Sequence, residues 1–390
     1  MNTQALNSRS EHPNLPFESI GPFFRRMPQK HSLAGARVVS ADNHISLGGR
    51  DIWREAAPAH LKERVPRVWF DEDKQLWNTT LGGESLAFFG ADDFARSMEG
   101  RRGAWDVDAR VADMDAEGVE KEIVFPQFLL RLCHLPDLEA REFIFREYNR
   151  YLCELQRRQP GRFYGVGVAH YWEPERARDS ILEGKKNGLK AFMVPCRPGV
   201  YPDGTKIFYG ASRMDPLWEA FEETNMPVCF HVGEGTIHGG PGAIPVSMLI
   251  NLGAPDFRMN WSEMVFGGVF DRHPSLRVAF VEGGLHWIPG MLQDAEMLRE
   301  ALTTLLDYTP KLPLRDYWAK HCVATFMYDP AGILQLDVIG LENVMWSVDY
   351  PHNEGSFGYS GEAIQHIVDR VGATAARKIV GDNALRFFDL

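Results

Sequence analysis

Several side chains that can bind a metal or carry a proton stand at the ends of short apolar runs in this 390-residue chain. Asp42 and His44 are two residues apart at the end of one run, RVVSADNH. In an extended strand that spacing points both side chains to one face. His231 ends a second run, Glu282 a third and Asp349 a fourth, with His352 just beyond. Each residue alone has a plainer reading, as a turn cap, a hydrogen-bonded imidazole or a loop residue. Together Asp42, His44, His231 and Asp349 make a mixed nitrogen and oxygen set suited to one divalent ion: Zn, Mn or Fe. Such a site turns bound water into hydroxide at neutral pH.

The elements that must bring these residues together are eight candidate strands: Arg37–His44, Lys121–Pro126, Phe163–His170, Leu189–Pro195, Met226–Val232, Arg277–Gly284, Cys322–Tyr328 and Val344–His352. They are short and rich in Val, Ile and Phe, as buried parallel strands are. Amphipathic helical patterns lie between them, over Asp108–Glu117, Glu139–Arg157 and Glu173–Asn187. Eightfold alternation of this kind predicts an α/β fold, a (β/α)8 TIM-like barrel over residues 37–390. A doubly wound open sheet is the rival, but DNHISLGG is a poor phosphate turn. Barrel active sites sit at the C-terminal ends of the strands, where the residues above fall. Two long connections leave that end. Residues 45–107 form an insertion holding Trp53, Trp69, Trp77 and Phe88, and residues 233–262 a Gly-rich active-site loop that includes His238. Residues 1–36 read as a polar N-terminal arm that wraps the barrel or a neighbouring subunit.

Composition narrows the function. The chain is 44% hydrophobic with a formal charge of -11 and no basic run, which argues against nucleic-acid binding. Its five cysteines show no CxxC spacing, which fits a reducing compartment. No apolar stretch reaches the ~20 residues of a membrane span, and the first residues lack an apolar signal core. A cytoplasmic enzyme acting on a small molecule is expected.

The segments SADNHIS, ADMDAEGVEKEIVFP, DPLWEAFEETNMPVCFHVGEG, VFDRHPSLRVAFVEGGLHWIPGML and MWSVDYPHNEG, in that order, resemble the amidohydrolase-related family that includes aminocarboxymuconate semialdehyde decarboxylase. The resemblance spans about residues 37–390. It implies a (β/α)8 barrel with one catalytic divalent metal, and a homodimer or homotetramer. It places the metal ligands on Asp42, His44, His231 and Asp349. Two departures stand out. Asp42 replaces a His common in the family, which favours harder metals. Glu282 stands where decarboxylases of the family often carry an acid/base His in an HGG-like segment, and His286, four residues on, is the candidate substitute.

The expected chemistry follows from these assignments. Asp349 acts as general base on metal-bound water, and Glu282 is a further ligand or an acid/base group. His170, Arg197 and His352 orient the substrate, with Arg197 suited to a carboxylate. With the usual proton donor absent, the first reading is a metal-dependent hydrolase of a cyclic or aromatic carbonyl or carboxylate compound. The alternative is a nonoxidative decarboxylase of an aromatic or enolic acid. A catalytically silent barrel serving as a binding subunit is third.

Overall fold

The computed structural model describes residues 25–86, 98–127, 129–233 and 253–390. Eight parallel strand positions form the barrel. The first is split into β1 (Val39–Ser40) and β2 (His44–Ile45). A small antiparallel sheet follows, β3 (Arg67–Asp71), β4 (Leu76–Leu81) and β5 (Glu84–Ser85). The remaining barrel strands are β6 (Lys121–Pro126), β7 (Phe163–Val168), β8 (Ala191–Met193), β9 (Val228–His231), β10 (Val278–Val281), β11 (Cys322–Phe326) and β12 (Val344–Trp346). Neighbours follow chain order from β6 to β12, all parallel. The ring closes where the Ala41 N–H donates to the Trp346 carbonyl (3.1 Å) and the Asp349 N–H to the Asp42 carbonyl (2.9 Å).

The helices between strands start and stop on local signals. Asp106 caps helix Val107–Glu117 by accepting from the N–H groups of Asp108 and Ala109, and Gly118 ends it in the left-handed region. Asp137 caps helix Leu138–Arg158, whose last turn carries Arg157 and Arg158 against the helix dipole. Its apolar face, with Ile144, Tyr148 and Leu152, is buried. Beneath the opposite wall, Phe230 and Phe280 stack at 5.6 Å and Trp287 and Trp318 pack edge to face at 5.7 Å.

Residues 25–36 lie along the barrel. Arg26 is buried and donates to the carbonyls of Asn353, Gly355 and Phe357, in the segment after β12. In the 45–107 insertion, Trp53 is a core residue. Its indole N–H meets the Ile144 carbonyl at 3.0 Å and its ring stacks on Tyr148. Phe70 and Trp77 pair across the small sheet, while Phe88 lies outside the described residues. The 233–262 segment is loop only in part. Residues 254–262 belong to helix Ala254–Phe266, started by Gly253 and Pro255, and His238 lies outside the described residues. All five cysteines are buried, and no disulfide joins them among the described residues. No described helix is long and apolar enough to cross a membrane.

Candidate metal centre

The split in the first strand position is what presents Asp42. Asn43 donates to the carbonyls of Ser40 and Ile123, both at 3.2 Å, and accepts from the Tyr350 N–H at 3.1 Å. Ser40 Oγ accepts from the Val348 N–H at 2.8 Å. These side chains replace missing ladder bonds and hold strands one, two and eight together while the backbone bends. Asp42 and His44 share the interior face, as their spacing predicted, although Asp42 stands outside a regular strand.

His231 is the last residue of β9. Its Nδ1 donates to the Val232 carbonyl at 2.8 Å, which leaves the Nε2 lone pair facing Asp42 Oδ1 at 3.2 Å and Glu282 Oε2 at 3.4 Å. Glu282 and Asp349 follow their strands with φ of 69° and 57°. Such left-handed backbone is uncommon for side chains of this kind and marks positions held by their surroundings. The Glu282 N–H is anchored on Thr325 Oγ1 at 2.8 Å. His44 Nε2 lies 3.6 Å from Asp349 Oδ1 and 3.9 Å from both Asp42 Oδ1 and Glu282 Oε2. His352 stacks on the His44 ring with centroids 4.3 Å apart. Its Nδ1 is 3.0 Å from Asp349 Oδ1 and 3.5 Å from Glu282 Oε1, and its Nε2 is 3.1 Å from Gln127 Oε1.

Three carboxylates and three imidazoles therefore form one cluster. Burial, with repulsion from His352, His231 and Arg110, holds the His44 pKa well below its usual value. Burial pushes Asp349 well up, against the pull of His352 and with the push of Glu282. For His352, burial is outweighed by Asp349 and Glu282, so its pKa rises well above normal. Asp42 Oδ2 and His44 Nε2 are buried without a hydrogen-bond partner among the described residues. Lone pairs converging in this way fit a divalent cation, and the hard, mixed donor set suits manganese or iron as well as zinc. A bound cation would reverse the upward shifts of the carboxyls.

Three candidates from the sequence are engaged by other groups. β7 ends at Val168, two residues before His170. The His170 imidazole instead meets Glu173 at 2.9 Å and lines a cavity of about 390 Å³ between helices Leu138–Arg158 and Ala177–Lys186. His286 does not replace the strand-six imidazole. The turn at Glu282–Gly284 sends it outward, where it bonds Asp329 at 3.1 Å with its side chain 60% exposed. Arg197 pairs with Asp256 at 3.0 Å. His352, expected to touch substrate, instead contacts the carboxylates of the cluster. Sequence reasoning missed Gln127, for which only its place directly after β6 was a signal. It also missed Arg110, which sits on helix Val107–Glu117 with no signal in the sequence that marks it as buried.

Relatives of known name agree with this architecture. A 2-amino-3-carboxymuconate-6-semialdehyde decarboxylase of Dictyostelium discoideum is 23% identical over 293 residues, 73% of this chain and 77% of its own. An amidohydrolase from Mycobacterium avium subsp. paratuberculosis superposes with a TM-score of 0.76 at 20% identity, covering 91% of this chain and 98% of its own. A 5-carboxyvanillate decarboxylase from Novosphingobium aromaticivorans, with bound manganese, gives 0.70 at 18% identity, covering 93% and 99%. At these identities the superpositions establish the shared fold. The signature of the amidohydrolase family matches residues 41–390, from the residue before Asp42 to the chain end, and the chain belongs to that family.

Proposed function

We propose that the chain is a metal-dependent nonoxidative decarboxylase of an aromatic or enolic acid. This replaces hydrolysis, the first reading of the sequence, which rested on the loss of the strand-six His. One observation carries the change. An imidazole reaches the carboxylates from strand eight, because His352 Nδ1 stands 3.0 Å from Asp349 and 3.5 Å from Glu282. The decarboxylases among the relatives support the same reading.

Asp42, His44, His231 and Asp349 would hold the cation, with Glu282 Oε2 turned toward the same nitrogens. When bound it would neutralise the acid's carboxylate and neighbouring hydroxyl or enol oxygen. Asp349 supplies the proton to the carbon that bears the departing carboxylate. The C–C bond then breaks, its electron pair restores the ring or enol, and CO2 leaves. One solvent proton is consumed per turnover. His352 returns it to Asp349 through Nδ1, while Gln127 holds the other ring nitrogen.

Incubating manganese-loaded protein with ortho-hydroxybenzoic acids and amino-carboxymuconate semialdehyde in D2O tests this. The expected result is CO2 release, with deuterium on the carbon that lost it. Asp349→Asn should slow release by about 10²- to 10⁴-fold. Product carrying oxygen from heavy-oxygen water, without CO2, would restore the hydrolase reading.

A further inference from the structure

The segment that carries Asp349 and His352 leaves β12 and runs, outside strand or helix, to helix Ser360–Arg377. It folds back on itself. The His352 N–H donates to the Asp349 carbonyl at 2.9 Å, the Gly355 N–H to the His352 carbonyl at 3.1 Å, and the Ser356 N–H to the Val348 carbonyl at 2.7 Å. Gly355 lies so close to the start of the segment that a Cβ on it would stand 2.6 Å from the carbonyl oxygens of both Val348 and Asp349. Whatever holds Gly355 therefore bears on Asp349. Arg26 holds it. Its Nη1 donates to the Gly355 carbonyl at 2.9 Å and the Phe357 carbonyl at 3.3 Å, and its Nη2 to the Asn353 carbonyl. One planar guanidinium, 7% exposed, thus fixes three alternate carbonyls, and a lysine ammonium has no such fork.

The chain around Arg26 fits the same place. Gly358 has a φ of 89°, and a Cβ there would meet Arg26 Cβ at 2.9 Å. A Cβ on Gly361 would meet the Lys30 carbonyl oxygen at 3.0 Å. The glycines of GSFGYSG therefore let two stretches of chain, residues 348–349 and 26–30, close on one segment. A second route reaches the neighbour of Asp349. The Arg26 carbonyl accepts from Arg101 Nη1 at 3.1 Å, Arg101 pairs with Asp113 at 2.8 Å, and Asp113 accepts from the Tyr350 hydroxyl at 2.7 Å. Residues 26–30 are thus tied to both sides of the turn that presents Asp349.

We propose that Arg26 is a positioning residue of the metal centre: by holding the Asn353, Gly355 and Phe357 carbonyls it sets where Asp349 and His352 stand. The effect on the metal rests on the reading of Asp349 as a ligand, and the effect on the segment does not. Manganese titration followed by electron paramagnetic resonance, with hydrogen exchange of the 348–359 backbone, reads the two separately and without turnover. Arg26→Met should lower manganese affinity by about 10- to 100-fold, the cost of losing a group that orients a ligand. It should also speed exchange of the His352, Gly355 and Ser356 amides. Arg26→Lys should recover only part of both, because the charge returns without the fork. Arg277 precedes β10, at the opposite end of the barrel, and likewise donates to two carbonyls, those of Phe387 and Asn225. Arg277→Met should therefore leave manganese affinity and the exchange of the segment at their wild-type values. Unchanged exchange in Arg26→Met would overturn the proposal. So would wild-type manganese affinity in that variant, or an equal loss in Arg277→Met, which would make the affinity a matter of stability alone. Faster exchange in Arg26→Met of a protein that takes up no cation would instead remove the metal reading and leave the hold on the segment standing.

Discussion

Arg110 offers the sharpest test of how the barrel holds its ligands. It is completely buried, with Nε 2.5 Å from Glu122 Oε2, Nη1 2.7 Å from the His44 carbonyl and Nη2 3.2 Å from the Tyr350 carbonyl. Its guanidinium also lies over the Tyr350 ring at 4.3 Å. One side chain therefore ties strand two to the backbone of a candidate ligand on strand one and to the residue after Asp349. In Arg110→Met, Glu122 is left as an unpaired buried acid, a loss of about 3–5 kcal/mol. That is a large part of the roughly 5–15 kcal/mol that separates folded from unfolded domains. Replacing both partners, Arg110→Met with Glu122→Met, removes the uncompensated charge and should return most of that loss. It does not return the donor to the His44 carbonyl, worth about 1–3 kcal/mol when buried and unmet, while the Tyr350 carbonyl keeps the His44 N–H at 2.6 Å. Urea unfolding of the metal-free proteins should rank wild type above the double variant and the double above the single. Manganese affinity should fall by about 10- to 100-fold in both variants, as when a group that orients a ligand is lost. A double variant no more stable than the single, or wild-type metal affinity in either, would refute the assignment of Arg110 as the group that fixes His44.

Removing the metal should lower the melting temperature and adding manganese should restore it. At a free metal concentration of 1,000 times Kd the folded state gains about 4 kcal/mol, so identical melting with and without chelator would contradict a resident cation. Glu117 links the arm to the barrel by accepting from the N–H groups of Gln29 (2.6 Å) and Gly358 (3.1 Å), and burial, against these bonds and Ser360, pushes its pKa to about 7. An acid whose folded pKa is raised stabilises the fold at low pH, and that contribution is lost as pH rises from about 4.5 through about 7, a fall of about 3 kcal/mol. Glu117→Gln should flatten the urea midpoint across that window, and a wild-type profile in the variant would count against the link. His286→Ala should leave CO2 release unchanged, because Asp329 keeps the N–H groups of Leu285 (2.6 Å) and His286 (3.0 Å); a large drop in turnover would return His286 to the reaction.

The barrel was legible because its signal is repeated. Eight apolar runs separated by helical patterns leave few other ways to bury that much Val, Ile and Phe. The clustering of the candidate donors was legible for a related reason: strand ends converge, so position along a strand stands in for position in space. The same rule failed wherever a strand stopped early. His170 was read as a strand end, but β7 ends at Val168, and the His170 N–H is taken by Ser180 Oγ at 3.2 Å, on the first turns of the following helix. His286 was placed by counting from Glu282, but backbone with φ of 69° at Glu282 and 68° at Gly284 reverses the chain between them, and counting carries no information through such a turn. Gln127, Arg110 and Arg26 escaped for another reason. Glutamine and arginine are ordinary surface residues, and what makes these three unusual is burial beside particular partners. Pattern fixes which face a residue takes and leaves open what lies opposite it. In this protein the candidate metal donors announce themselves by type, while the groups packed around them become visible only when the partners of each buried nitrogen are counted.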